Sequence, residues 1–304
     1  MNDEGSPGDS WTLRAEASRG WISELAWAPN GRALALAGAT GIALFAIRRS
    51  ELHLRAVLEG HEGPVKGIAV SPEGAMLASA GADRSIRLWD LKRGAAMRQL
   101  GGHGGSVERV AFTPDGALLA SAGADASLRV HDVRSGSELT SIGSHDDEVR
   151  ALCFCEGGRL LVSGSRDRKV CVHDGASGRL LRAEAHADWL RVLTAMPGDD
   201  SLLLSASRDG ELRLRSCRDG LPLRSLACEH GGLDCAVVAP DGRTLATGGR
   251  DCQIRLWRVR DGAPVGAFVA HDRPVLTLAF SPDGRWLASG GGDNRLRLWA
   301  RAAH

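Results

Sequence analysis

A stretch of fourteen residues sets the frame for this chain. It reads LASAGADRSIRLWD at 77–90, and variants of it stand at 119–132, 161–174, 203–216, 245–258 and 287–300. Its aspartate falls at Asp83, Asp125, Asp167, Asp209, Asp251 and Asp293, each 42 residues after the one before (for example 125 − 83). A fixed period of this size means stacked copies of one supersecondary unit, which cannot bury their apolar faces alone. Any fold proposed for the chain must honour that period.

Within one unit the pattern is short apolar runs broken by turns. VKGIAVSP at 65–72, MLASA at 76–80, SIRLWD at 85–90 and AMRQLG at 96–101 are separated by Pro-Glu-Gly, Gly-Ala-Asp-Arg and Lys-Arg-Gly. Runs of this length, rich in Val, Ile, Leu and Trp and bounded by Gly, Pro and Asp, predict strands. The connections are too short for a crossover helix, so neighbouring strands pair antiparallel. Four-stranded antiparallel sheets repeated about every 40 residues predict the blades of a β-propeller.

The chain resembles the WD-repeat (WD40) family over nearly its whole length. The family pattern places Gly-His before strand one, Ser or Thr in strand two, Asp in the next turn and Trp-Asp at the end of strand three. The second unit has the full set, with Gly60-His61, Ser79, Asp83 and Trp89-Asp90. The sixth has His230, Thr247, Asp251 and Trp257, and the seventh His271, Ser289, Asp293 and Trp299. The third and fourth keep His103, Ser121, Asp125 and His145, Ser163, Asp167, with His131 and His173 in place of Trp. The fifth keeps His186, Ser205 and Asp209, with Arg215 at the Trp place. The resemblance implies that Asp bonds His, and His bonds Ser/Thr and Trp, in each blade. It also implies a seven-bladed, all-β propeller.

The expected units run near 18–59, 60–101, 102–143, 144–185, 186–228, 229–269 and 270–300. LRAEA at 13–17 repeats identically at 181–185, just before His186. The segment 10–17 therefore reads as an outer strand. The last unit stops after its third strand, so residues 10–17 complete it and remove the free sheet edge. Residues 1–9 are expected to be disordered, and 10–300 to form one propeller domain. The first blade is the outlier, with Ser18, Leu36, Thr40 and Phe45 at the places of His, Ser, Asp and Trp.

Composition excludes some function classes. The 38 basic and 37 acidic residues leave a net charge of +1, so there is no global attraction to nucleic acid or anionic membrane. The seven cysteines are odd in number with no Cys-x-x-Cys pair, which points to a reducing compartment. The longest uncharged run, 33–47, is too short to span a bilayer and is broken by Gly38 and Gly41. The N-terminus MNDEGSPGDS is unlike a signal peptide. A soluble cytoplasmic protein is expected, with the nucleus as the alternative for a eukaryotic source.

No catalytic set stands out. The His-Ser-Asp trio recurs in six units, whereas an active site needs one convergent set. No metal or cofactor is expected: His131 and His173 lack ligands at metal-binding spacing. The Gly-rich run 101–105 does not lead from a strand into a helix, as a nucleotide loop must.

In WD-repeat propellers, partner contacts flank the first apolar residue of strand one and precede the turn Asp. Carried over, this implies a top face with Trp21, Lys66, Arg150, Trp189 and Arg191, and pre-Asp residues Arg166, Arg208 and Arg250 in blades four to six. Ala or Gly holds the pre-Asp place in the other blades (Ala39, Ala82, Ala124, Gly292). The expected function is a non-enzymatic scaffold, monomeric or part of a larger complex, binding an acidic or phosphorylated protein segment through this arc. The alternative is a solvated surface on which each arginine pairs with its neighbouring aspartate. A nucleic-acid-associated protein is a rival opposed by the net charge. A substrate receptor for a cullin-type ubiquitin ligase is another; His131-Asp132-Val133-Arg134 keeps only part of the Trp-Asp-x-Arg motif it would need.

Overall fold

The computed structural model describes residues 11–39, 41–227 and 232–301. It is a seven-bladed propeller, each blade a four-stranded antiparallel sheet. Blade two shows the pattern, with strands Val65–Val70, Met76–Gly81, Ile86–Asp90 and Ala95–Leu100 in sequence order across the sheet. The first strands of the seven blades begin at Ile22, Val65, Val107, Val149, Leu190, Leu233 and Val275. Strand Trp11–Ser18 pairs antiparallel with Arg295–Arg301 and closes blade seven, as the repeated LRAEA indicated. Ser10, at the start of the expected strand, lies outside the described residues, as do residues 1–9, Thr40 and His230.

The apolar residues gather into seven clusters, each between neighbouring blades. One joins Ile42 and Leu44 of blade one to Val65, Ile68, Leu77 and Trp89 of blade two. Alternation along the strands explains this packing: successive side chains point to opposite sheet faces, and each face meets the adjacent blade. In blade one, Phe45 and Leu36 share an apolar cluster with Leu25 and Leu34, so packing occupies the places where other blades keep polar groups.

One irregularity recurs. In all seven blades the register of strand one shifts directly after its first residue, for example between Val65 and Gly67. A β-bulge inserts one residue without a cross-strand partner and re-aims its side chain. The residues at the bulges are Ser23, Lys66, Glu108, Arg150, Arg191, Asp234 and Leu276. All seven line a single funnel.

Candidate functional site: the polar sets and the top-face funnel

Among the described residues, four blades hold the His–Asp bond. In blade two His61 Nδ1 meets Asp83 Oδ2 at 2.9 Å, His61 Nε2 meets Ser79 Oγ at 2.7 Å, and Trp89 Nε1 donates to Ser79 Oγ at 2.8 Å. Asp83 also accepts from Glu62 N and Ser85 N. One carboxylate thus ties the inter-blade loop to the turn. Blade seven repeats the chain through Asp293, His271, Ser289 and Trp299, with bonds of 2.9, 2.8 and 2.8 Å. Blades three and four join His103 to Asp125 at 3.0 Å and to Ser121 at 2.8 Å, and His145 to Asp167 at 2.9 Å and to Ser163 at 2.8 Å. In blade six Trp257 Nε1 donates to Thr247 Oγ1 at 2.8 Å, and Asp251 caps its turn through Gln253 N. The expected partner His230 lies outside the described residues.

The substitutes for Trp do not reproduce its bond equally. His173 meets Leu161 O at 3.3 Å and Ser144 Oγ at 2.8 Å rather than Ser163. His131 Nδ1 is buried without a partner. Burial, with little to offset it, pushes the His173 imidazole down to about 4. Among the described residues no group of three or more His, Cys, Asp or Glu is placed to hold a metal.

Blade five departs from the expected set. His186 reaches neither Asp209 nor Ser205; its Nδ1 accepts from Ala187 N at 3.0 Å and its Nε2 has no partner. The cause is local. Ser207 stands where blade two has Gly81, and its hydroxyl donates to Asp209. Blade four also has serine there, but Ser165 Oγ donates instead to Asp147 O at 2.9 Å and leaves Asp167 to His145. Arg215 fills the Trp place in blade five. It is fully buried, with Nε donating to Ser205 Oγ at 2.8 Å and Nη1 to Gly220 O at 2.7 Å.

The top face gathers the arginine arc around one ring. Two guanidinium groups lie over the Trp189 ring, Arg166 at 4.1 Å and Arg208 at 4.9 Å from its centroid. Arg166 pairs with Glu148 at 3.2 Å, not with its neighbour Asp167, and Arg150 pairs with the same carboxylate at 2.7 Å. Burial alone would raise the Glu148 carboxyl, but the bonds from Arg150 and Arg166 outweigh it and hold the carboxyl below its ordinary value. Arg191 lies 3.7 Å from Asp234. Its pKa is lowered, first by burial and then by the charges of Arg150, Arg208 and Arg109, against the pull of Asp234. Among the described residues, Arg208 and Arg250 have no carboxylate within salt-bridge distance, and Arg250 is exposed. Trp21 and Lys66 stand at the other side of the funnel, with the ammonium 4.9 Å from the ring centroid. Five of the predicted residues thus form two aromatic–cation groups, and Arg150 and Arg191 lie beside both.

Deeper in the funnel is a pair that sequence reasoning missed. Glu24 Oε2 accepts from Ile68 N at 2.7 Å, and its Oε1 lies 3.8 Å from Arg109 Nε. Burial raises the Glu24 carboxyl, opposed by Arg109 and the amide. The available signal was positional. Gly67, Ala151, Val192, Cys235 and Thr277 hold the equivalent register in the other blades, and none of them is charged.

The family model described as WD domain, G-beta repeat matches residues 52–90, 94–132, 136–174, 220–258 and 262–300. The two blades it passes over are those with Phe45 and Arg215 at the Trp place. Small ribosomal subunit protein RACK1y of Oryza sativa subsp. japonica is 36% identical over 86 residues, covering 28% of this chain and 26% of that protein. Periodic tryptophan protein 2 homolog of Mus musculus is 54% identical over 35 residues, 12% of this chain and 4% of that protein. Telomerase protein component 1 of Rattus norvegicus is 52% identical over 42 residues, 14% of this chain and 2% of that protein. These matches span about a quarter or less of each relative. With five repeats matched and seven blades of four antiparallel strands, the chain belongs to the WD40 family of G-beta repeat propellers.

Proposed function

We propose that this propeller is a non-enzymatic protein-interaction scaffold whose top face receives an acidic or phosphorylated segment of a partner protein. The observation that carries the reading is the Trp189 ring contacted by the guanidinium groups of both Arg166 and Arg208. A guanidinium stacked on a ring keeps its in-plane N–H donors, which match the paired oxygens of carboxylate or phosphate. The ring orders two long side chains beforehand, so less entropy is lost on binding. Arg250 adds a third guanidinium with no carboxylate partner among the described residues. RACK1y is by name a small ribosomal subunit protein, and membership of a larger complex is the corresponding proposal here.

A single-stranded nucleic acid is a weaker fit. Glu108, Glu148 and Asp234 lie among the arginines, and a continuous phosphate tract would meet them. The test is fluorescence anisotropy with labelled peptides carrying aspartate, phosphoserine or neither, beside a single-stranded oligonucleotide. The acidic and phosphorylated peptides are expected to bind in a salt-dependent way. Arg166→Glu/Arg208→Glu/Arg250→Glu should remove that binding while circular dichroism stays unchanged. Equal binding by the triple variant overturns the site, and preference for the oligonucleotide overturns the partner class.

A further inference from the structure

The opposite, bottom face carries a second feature that the top-face reading does not use. Near the lower end of each first strand one residue pairs with the buried leucine of strand two. In four blades it is aromatic: Trp27 opposite Leu34, Phe112 opposite Leu119, Phe154 opposite Leu161 and Phe280 opposite Leu287. Each ring packs in the wedge against the preceding blade, as Phe112 does in the cluster joining blades two and three. Blade two has Val70 there and blade six Val238. Grooves open in front of these two blades. Blade five has Ala195 at this place, but there the turn Glu156–Gly158 bridges the gap, with Gly157 N donating to Asp200 Oδ2 at 2.7 Å.

The groove between blades five and six is the larger, about 860 Å³. Its floor is apolar, made by Leu202, Leu214, Leu223 and Val259. Leu223 is 58% exposed, unusual for a large aliphatic side chain on a strand. The rim is basic, with Arg224, Arg243, Arg258 and Arg260 all exposed. Arg258 is paired with Asp261 at 2.8 Å, and Arg224 donates to the Arg260 carbonyl. Among the described residues no carboxylate pairs with Arg243 or Arg260. The two acids of the groove are already engaged: Asp199 accepts from Ser201, and Asp241 lies 3.8 Å from Arg301. The groove between blades one and two has only Arg55 and Lys92 as basic groups and about 250 Å³.

We propose that the groove between blades five and six is a second docking surface. Its occupant is an acidic segment of a partner protein that seats one large apolar side chain, phenylalanine or leucine, on Leu202, Leu214 and Val259. Behind this floor Val238 packs with Leu202, Leu214 and Val259, where four other wedges hold a ring. Carboxylates flanking the seated side chain meet Arg243 and Arg260, whose charge is otherwise unanswered. A buried apolar anchor with a charged rim is the ordinary anatomy of a specific interface. The site lies on the face opposite the arginine arc, so it stands or fails independently of the reading above.

The probe is a labelled ten-residue peptide with one phenylalanine between glutamates, followed by anisotropy on the full chain. Saturable binding is expected, weakened about tenfold or more when the peptide's phenylalanine becomes alanine. Leu223→Glu and, separately, Arg243→Glu/Arg260→Glu are expected to weaken it to a similar degree. Both variants change exposed side chains, and circular dichroism confirms their folding. The Arg166→Glu/Arg208→Glu/Arg250→Glu variant should bind this peptide as the wild type does. Binding lost in that variant and kept in both groove variants places the peptide on the top face and overturns the proposal. So does absence of saturable binding at millimolar peptide. Sedimentation showing a dimer that Leu223→Glu dissolves assigns the groove to self-association and likewise overturns it.

Discussion

Arg215 Nε donates to Ser205 Oγ at 2.8 Å, the same bond at the same length that Trp89 Nε1 makes to Ser79 Oγ three blades earlier. The strand-two hydroxyl has kept its donor while the donor has changed from a neutral ring to a cation. The exchange has a cost. Arg215 is fully buried, its Nη2 has no partner, and burial pulls its pKa down to about 10. Replacing a poorly paired buried charge by an apolar group of similar size commonly stabilises a protein by about 1–4 kcal/mol. Arg215→Trp is therefore expected to raise the urea midpoint, with Ser205 keeping a donor. A lower midpoint would mean that the bond to Gly220 O outweighs the buried charge.

Gly81 is required by the polar set around it. A Cβ there would lie 2.2 Å from Asp83 Oδ1 and 2.4 Å from His61 Nδ1. Gly81→Ala puts a Cβ into a set packed around glycine, whereas blade four accommodates Ser165 in a set built around that side chain. Leaving buried polar groups unbonded costs about 1–3 kcal/mol. Chemical denaturation is expected to show a loss in that range. Gly101→Ala is the control, since a Cβ at Gly101 meets nothing within 4 Å.

The blade count, the closing strand and the register of the turn aspartates were legible in the sequence because each depends on residues repeated at a fixed spacing. Blade five shows the limit. His186 stands 23 residues before Asp209 where the four assembled sets have 22, a one-residue difference that matching residue types conceal, and the set does not assemble. The arginine arc was visible as residue types at matching positions. Its grouping around Trp189 was not, since side-chain direction at a bulge is set in three dimensions. The groove between blades five and six is marked by a valine among rings, a signal of absent volume rather than of any motif.

Stability should fall as the pH drops below neutral. Burial lowers the imidazole pKa of His61, His103, His145 and His271 despite the opposing pull of their aspartates. His173 and His186 are pushed down to about 4. A folded pKa below the unfolded 6.5 means that the unfolded chain binds more protons, so stability rises with pH across that interval. For His173 and His186 the contribution is complete above 6.5 and is lost as the pH falls toward 4, each on the order of 3 kcal/mol. The aspartates act lower. Burial alone would raise Asp125, but bonds from His103, Ser127 and Gly104 hold it at about 2, so its share is lost only between 3.8 and about 2. Urea unfolding at pH 7.5 and pH 5 is expected to show a clear loss at the lower value, reduced in His186→Gln. Equal stability at both values would contradict the buried, neutral state of these rings.

The propeller is closed by non-covalent bonds between its two chain ends. Trp11–Ser18 pairs along Arg295–Arg301, and Glu16 accepts from Arg297 Nε at 2.7 Å and Arg295 Nη1 at 3.0 Å. Trp11 packs on Phe280 with ring centroids 5.8 Å apart. Without this strand, Arg295–Arg301 becomes an open sheet edge, a template for pairing with other chains. The apolar side chains of blade seven that face it also lose their cover. A chain beginning at residue 19 is expected to melt at a markedly lower temperature and to associate, seen as early-eluting scatter in size-exclusion chromatography with light scattering. Adding a peptide of residues 11–18 should partly restore the melting temperature, because its pairing strand Arg295–Arg301 and the Phe280 ring remain in place. A truncated chain that stays monodisperse and melts where the full chain does would show that the seven sheets hold together without the closing strand.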